Sequence, residues 1–508
     1  MRKSFSWTRA GMPLVLSSLL FAGCSLAPKY TRPGTILPLV FKEAGGTSGG
    51  SIKADSDETP WTTARPSDQM PRGQWWTVFN DPQLNTLEEQ ALNANQNLKA
   101  AMARVNEARA SQLTARSDLL PTIGARFGPT RSKVSPASLM EPDGTSVTPQ
   151  TLWRAQATAS YEVDLFGRAT SELNAEKAES DEARALFRSV QLTLQADVAQ
   201  NYFNLRELDA EIQVYRTGVD LRVETLNLVQ QRFDAGDISD LDVARSRADL
   251  ATARSDQMTA ERARAVGEHS LAVLIGQTPA KFLLASSPIE PLRIHIPPGM
   301  PSTLLERRPD IAASERAVAA ANARIGVARA AYFPSLALDA NGGYEAGTLS
   351  NLFKASSEVF LLGPLAGAAL TLPLFDGGRR KGGVQRTHAV LEESTAKYRQ
   401  QVLTAFQEVE DRLSDLRILE AQTQTQADAV KASERAEAIS KTQYKEGAAT
   451  YLDVIDAERT VLQAQQQANR LTGIQAVSTV NLIRALGGGW GDMPSGVAVT
   501  EDQRRSDQ

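Results

Sequence analysis

The chain has 508 residues, a formal net charge of −4 and a sequence pI near 5.7. That balance argues against a dedicated nucleic-acid binder, and a single cysteine, Cys24, rules out an intrachain disulfide. His269, His295 and His388 lie far apart without metal-ligand spacing, and no Gly-rich phosphate loop, GxSxG or HExxH occurs, so the sequence reads as a non-enzyme without metal or cofactor.

Arg2, Lys3 and Arg9 precede a short apolar stretch, Met12 to Gly23. It falls well short of the ~20 residues of a spanning helix and reads as a signal peptide over residues 1–23. The small pair Ala22-Gly23 before Cys24 resembles a bacterial lipoprotein signal, which implies a covalent lipid on Cys24. Ser25 in place of Asp leaves such a lipoprotein free to reach the outer membrane. Residues 24–74, rich in Gly, Ser, Thr and Pro, read as an extended tether.

Trp75-Trp76 and Phe79 announce ordered structure, and Asn80-Asp81-Pro82 supplies a cap and a helix-compatible proline. The Pro-free run that follows predicts one helix over 83–120, ended by Leu120-Pro121. The period then becomes two. Trp153, Ala155, Ala157, Ala159, Tyr161, Val163 and Leu165 alternate with polar residues, which predicts a strand over 151–165 after a shorter one over 122–132. The longer strand exceeds the ~5–6 residues usual in globular sheets and suits a tilted membrane strand of ~9–11. From Arg168 to Thr278 no proline occurs, and Leu186, Val190, Leu194, Val198, Tyr202, Leu205 and Leu208 step by four and three. This predicts a very long helix, a turn at 233–242 and a returning helix to about Ile275.

After a Pro-rich linker, 279–302, the pattern recurs from 303 to 490. Arg308-Pro309-Asp310-Ile311 opens a helix that ends at Phe333-Pro334, echoing Leu120-Pro121. Strands over 335–346 and 359–374 follow, and Leu374-Phe375-Asp376-Gly377-Gly378-Arg379 echoes Leu165-Phe166-Gly167-Arg168. The second tip, 444–453, repeats the first: Phe233 pairs with Tyr444, Gly236 with Gly447, Leu241 with Leu452, Asp242 with Asp453 and Val243 with Val454, all at a shift of 444 − 233 = 211. Residues 491–508 read as a loose tail.

Each half therefore supplies two strands and a helical hairpin. Four strands cannot close a barrel, which needs about eight, and open edges are not tolerated in lipid. Three copies would give twelve strands. The long helices are too poor in large apolar residues to fill a globular core and suit a single layer around a space.

The segments SLAPKYTRP after Cys24, Trp75-Trp76, Tyr161 to Arg168, Arg307-Arg308-Pro309-Asp310-Ile311, Tyr332-Phe333-Pro334, Pro373 to Arg379 and the two tips together resemble the TolC-like outer-membrane factor family, in its lipoprotein branch serving multidrug efflux. The resemblance covers nearly the whole mature chain. It implies a mainly α fold with membrane β: a homotrimer with a twelve-strand outer-membrane β-barrel continued by a twelve-helix periplasmic α-barrel. It also implies an export duct docked, through a periplasmic adaptor, to an inner-membrane pump of the resistance–nodulation–division class. The runner-up is an outlet for type I protein secretion or heavy-metal export. A passive porin, which would need about sixteen strands per chain, conflicts with the long Pro-free runs; a purely periplasmic coiled-coil scaffold conflicts with the membrane-length strands.

Thr450-x-x-Asp453 and Ser239-x-x-Asp242 each fit a capping box, with Asp where Glu is commoner. Asp456 follows Asp453 on the same helix face and has no capping role. By resemblance, Asp453 and Asp456 line the closed periplasmic mouth, where a charged ring attracts cations. Ala449 stands where some relatives carry a basic gate partner. Gly236, Asp237 and Ser239, with Gly447, Ala448 and Thr450, occupy the turns where an adaptor would dock, and each glycine also reads as an ordinary C-cap.

Overall fold

The computed structural model describes residues 26–34, 38, 41–44, 73–135, 146–290, 294, 304–305, 307–362 and 368–488. Cys24, with its expected lipid, most of the 279–302 linker beyond Glu290, and the 491–508 tail lie outside these residues. The helices are α1 (Pro82–Ala94), α2 (Gln96–Ser117), α3 (Arg168–Asp234), α4 (Asp240–Leu274), α5 (Pro309–Ala330), α6 (Arg379–Lys445) and α7 (Tyr451–Ala485). The strands are β1 (Thr122–Ser132), β2 (Gln150–Val163), β3 (Ser335–Ala346), β4 (Glu358–Leu362) and β5 (Ala368–Thr371). No helix among the described residues is long and apolar enough to cross a membrane.

Two compact units form, and neither coincides with a sequence repeat. One comprises residues 104–184 and 313–399 with the N-terminal segment to Gly34; the other comprises residues 35–103, 185–312 and 400–508. Each thus draws on both halves of the chain.

The first unit carries one antiparallel sheet in the order β1-β2-β3-β4, with β5 also pairing β3. The expected fourth strand, 359–374, is present as β4 opposite Ala340 to Tyr344 and β5 opposite Ser335 to Leu338. In β2, register runs from Trp153 opposite Ala346 to Val163 opposite Leu336. Among the described residues the outer side of β1 and the far sides of β4 and β5 have no strand partner. Where β2 passes into α3, the Asp164 carboxylate accepts from the Ala169 and Thr170 amides at 3.0 and 2.8 Å, satisfying orphan donors of the first turn. Arg168 holds Glu162 through two bonds of 2.9 and 3.0 Å. At the second junction Asp376 accepts from the Gly378 and Arg380 amides at 3.0 and 3.1 Å. The N-terminal segment is strapped to this unit. Asn322 Nδ2 donates to the Pro28 carbonyl at 2.8 Å, the Tyr30 hydroxyl donates to Glu315, and Arg32 Nε donates to the Tyr398 hydroxyl at 3.2 Å.

The second unit contains the main apolar core. Trp75, Trp76, Phe79, Leu84, Leu87 and Ala91 pack against Leu194, Val198, Tyr202 and Leu205 of α3 and against the end of α7. Of the step of four and three expected along α3, Leu194, Val198, Tyr202 and Leu205 are buried, Val190 and Leu208 are half-buried and Leu186 is exposed. The single helix expected over 83–120 is instead two. Asn95 separates them: its Oδ1 accepts from the Leu98 amide at 3.0 Å, a helix cap, and its Nδ2 donates to the Leu274 carbonyl at 2.8 Å. The start of the linker is held by Asp209, which accepts from Arg264 Nε at 2.6 Å, the Ser286 hydroxyl at 2.8 Å and the Ser287 amide at 2.9 Å. Beyond the linker, Arg308 donates to Glu408 and Asp310 at 2.6 Å each and to the Ala485 carbonyl at 3.0 Å.

Candidate functional site

The hairpin tips belong to the second unit, and both end in the same backbone device. At the first, Gly236 takes φ +82°; its amide donates to the Phe233 carbonyl at 2.9 Å and the Asp237 amide to the Arg232 carbonyl at 2.9 Å. At the second, Gly447 takes φ +77°; its amide donates to the Tyr444 carbonyl at 3.1 Å and the Ala448 amide to the Gln443 carbonyl at 2.8 Å. These paired bonds are a Schellman motif. It needs a left-handed residue, and glycine alone adopts that conformation without steric cost.

The caps that restart each chain differ. Thr450 and Asp453 form a complete capping box: the Thr450 amide donates to Asp453 Oδ2 at 2.8 Å and the Asp453 amide to Thr450 Oγ1 at 3.4 Å. The bonds from the Thr450 hydroxyl and amide hold the Asp453 carboxyl below the usual carboxylate range. Ser239 sits at the same place in the first tip, but its side chain does not cap the helix and donates instead to Asp242 Oδ2 at 3.3 Å. The box expected there is therefore not formed.

Asp453 and Asp456 lie three residues apart on α7, both exposed. Asp456 makes no ion pair among the described residues. Its neighbours Val454 and Ile455 turn inward and, with Val229, Val243 and Tyr444, form a small buried cluster joining the two tips. The Arg232 guanidinium lies 5.1 Å from the centre of the Tyr444 ring, a cation–π contact between the hairpins. Leu241 and Leu452, equivalent in the repeat, are both exposed.

Behind the cluster lies an ionic network that sequence reasoning did not find. Asp249 on α4 accepts from Arg222 Nε of α3 at 2.7 Å and from Arg459 of α7 at 3.2 Å. Lys441 of α6 reaches Glu437 at 2.7 Å and Glu458 of α7 at 3.2 Å. Burial raises the Glu458 carboxyl, and Lys441 opposes that rise. Asp249 thus bridges the first hairpin to the second. Neither partner carries a local sequence signal, because Arg222 and Arg459 are brought to it only by helix packing.

No group of His, Cys, Asp and Glu among the described residues is arranged to hold a metal ion. The site is two joined turns presenting exposed acidic and aliphatic side chains, an arrangement suited to contact and to electrostatic filtering.

A sequence profile of the outer membrane efflux protein family matches residues 87–277 and 300–488. The toluene efflux pump outer membrane protein TtgF of Pseudomonas putida is 35% identical over 482 residues, which are 94% of this chain and 96% of that protein. The pyoverdine export outer membrane protein OpmQ of Pseudomonas aeruginosa is 35% identical over 499 residues, 96% of this chain and 98% of that protein. Among solved structures, the outer-membrane channel OprN matches with a TM-score of 0.80 at 28% identity, covering 92% of this chain and 100% of that one. The chain belongs to the outer membrane efflux protein family, shares the fold of its outer-membrane channels, and is a transport protein of the outer membrane.

Proposed function

We propose that three copies of this chain form one continuous exit duct of a tripartite efflux pump, with a twelve-strand barrel in the outer membrane and a twelve-helix barrel in the periplasm. The sheet supports this reading most directly: among the described residues one chain offers four strand positions and leaves both edges unpaired, which lipid does not tolerate. Cys24 carries a covalent lipid that adds an anchor. The joined tips face a periplasmic adaptor, with Gly236, Asp237, Ser239, Gly447, Ala448 and Thr450 at the docking turns and Leu241 and Leu452 as apolar contacts. The adaptor couples the duct to an inner-membrane pump of the resistance–nodulation–division class. Asp453 and Asp456, present three times in the assembly, constrict the periplasmic mouth and favour cations.

The cargo is small organic compounds, as the names of the toluene- and pyoverdine-exporting relatives suggest. Deleting the gene should sensitise cells to organic solvents, dyes and detergents, and the wild-type gene should restore resistance. Unchanged sensitivity would overturn the drug-efflux reading and favour a protein-secretion or heavy-metal outlet.

A further inference from the structure

Within the first unit, the junction between the two repeats is closed by an aromatic pair. Continuing the β2–β3 register three residues beyond Val163 and Leu336 brings Phe166 opposite Phe333, and their rings stack with centroids 4.7 Å apart. Around them, Val163, Leu165, Ala330, Pro334 and Pro373 help line a cleft of about 360 Å³. The end of the first repeat is thereby packed against the second repeat, with Phe333 still 40% exposed.

The internal repeat supplies the same parts once more, but unmatched. Phe375 corresponds to Phe166 (375 − 166 = 209) and Leu120 to Phe333 (333 − 120 = 213). Phe166 and Leu165 are half-buried, whereas Phe375 is 91% exposed, Leu374 87% and Leu120 62%. β5, which leads to Phe375, and β1, which follows Leu120, lie at opposite ends of the sheet order, so within one chain the pair cannot meet.

We propose that Phe375 of one copy seats on Leu120 and Pro121 of a second copy, reproducing between chains the Phe166–Phe333 contact made within each chain. The surface is a head-to-tail one: the second repeat's end meets the first repeat's start, and such a contact generates a closed ring when the rotation allows. It commits to a second copy rather than lipid because the in-chain counterparts, Phe166 and Phe333, stack on each other. Extending the register five residues along both strands pairs Leu370 with Ala125, so β5 and β1 would share one ladder across the boundary. The proposal rests on the oligomeric duct described above and adds which residues meet.

The test is a cysteine pair, Leu120→Cys with Phe375→Cys, in the full-length protein in outer membranes. Cross-strand Cα spacings of ~4.5–5.5 Å lie within the disulfide range. Non-reducing gels should show linked species of two and three chains, absent from either single variant. Phe166→Cys with Phe333→Cys should give only an intrachain bond, seen as a mobility change in the single-chain band. If the first pair does not fold, Ala125→Cys with Leu370→Cys replaces it. No interchain species while the detergent-purified protein remains trimeric would overturn this contact and leave the duct intact. A monomer in detergent would overturn both.

Discussion

At the residue scale, Glu88 of α1 is the least expected side chain. It is fully buried, and neither carboxyl oxygen has a hydrogen-bond partner among the described residues. Burial pushes its carboxyl from 4.5 up to about 9, so it is protonated in the folded chain at neutral pH. Its contribution to stability is full below the unfolded value and is lost as pH rises toward the folded one. Glu88→Gln stays neutral throughout. The variant should melt above the wild type at pH 8 and lose that advantage by pH 5, the gap growing by about 1.4 kcal/mol per pH unit in calorimetry. Asp249 is the opposite case, a buried charge with partners. Asp249→Ala leaves Arg222 buried and unpaired and should cost about 3–5 kcal/mol, whereas Arg459→Ala, losing a half-exposed partner, should cost about 1 kcal/mol or less. Denaturant melts of the helical signal would separate the two. Neither residue stood out in the sequence, because a lone Glu or Asp on a helix looks solvated until the opposing helices are in place. Arg308 did stand out within a family marker, but its role, joining Glu408, Asp310 and the Ala485 carbonyl, depends on contacts far apart in the chain.

At the scale of elements, the tips were legible because their chemistry is local: a left-handed glycine, then a Thr or Ser with Asp three residues on. Gly447→Ala forces a Cβ into φ +77° and should cost about 1–2 kcal/mol. Thr450→Ala removes a formed cap and should cost about 1 kcal/mol, with faster hydrogen exchange at the Asp453 amide. Ser239→Ala should have a smaller effect, since that hydroxyl makes no capping bond. Similar sequence did not guarantee similar geometry here. The break at Asn95 was missed for a related reason. Asparagine inside a Pro-free run resembles any polar helix residue, and its second bond, to the Leu274 carbonyl, comes from a distant segment. The strands were legible because a period of two sustained over thirteen residues has few other readings.

At the scale of the molecule, the repeat was the strongest sequence signal, yet the compact units cut across it, each taking pieces of both halves. Repetition in sequence records duplication, whereas contact follows the way duplicated pieces pack side by side. The gate prediction belongs at this scale, since a ring exists only in the assembly. Asp456→Ala with Asp453→Ala should raise single-channel conductance and weaken cation preference in planar bilayers; unchanged traces would remove both aspartates from the constriction.

The bare margins of the sheet also constrain the order of events in the cell. A lone subunit would bring unsatisfied N–H and C=O groups into hydrocarbon along β1 on one side and β4 and β5 on the other, at a cost of several kcal/mol for each orphaned group. Insertion by single chains, with partners recruited afterwards, is therefore the unfavourable route. Biogenesis should run through a periplasmic stage in which subunits find one another before the hydrocarbon is breached.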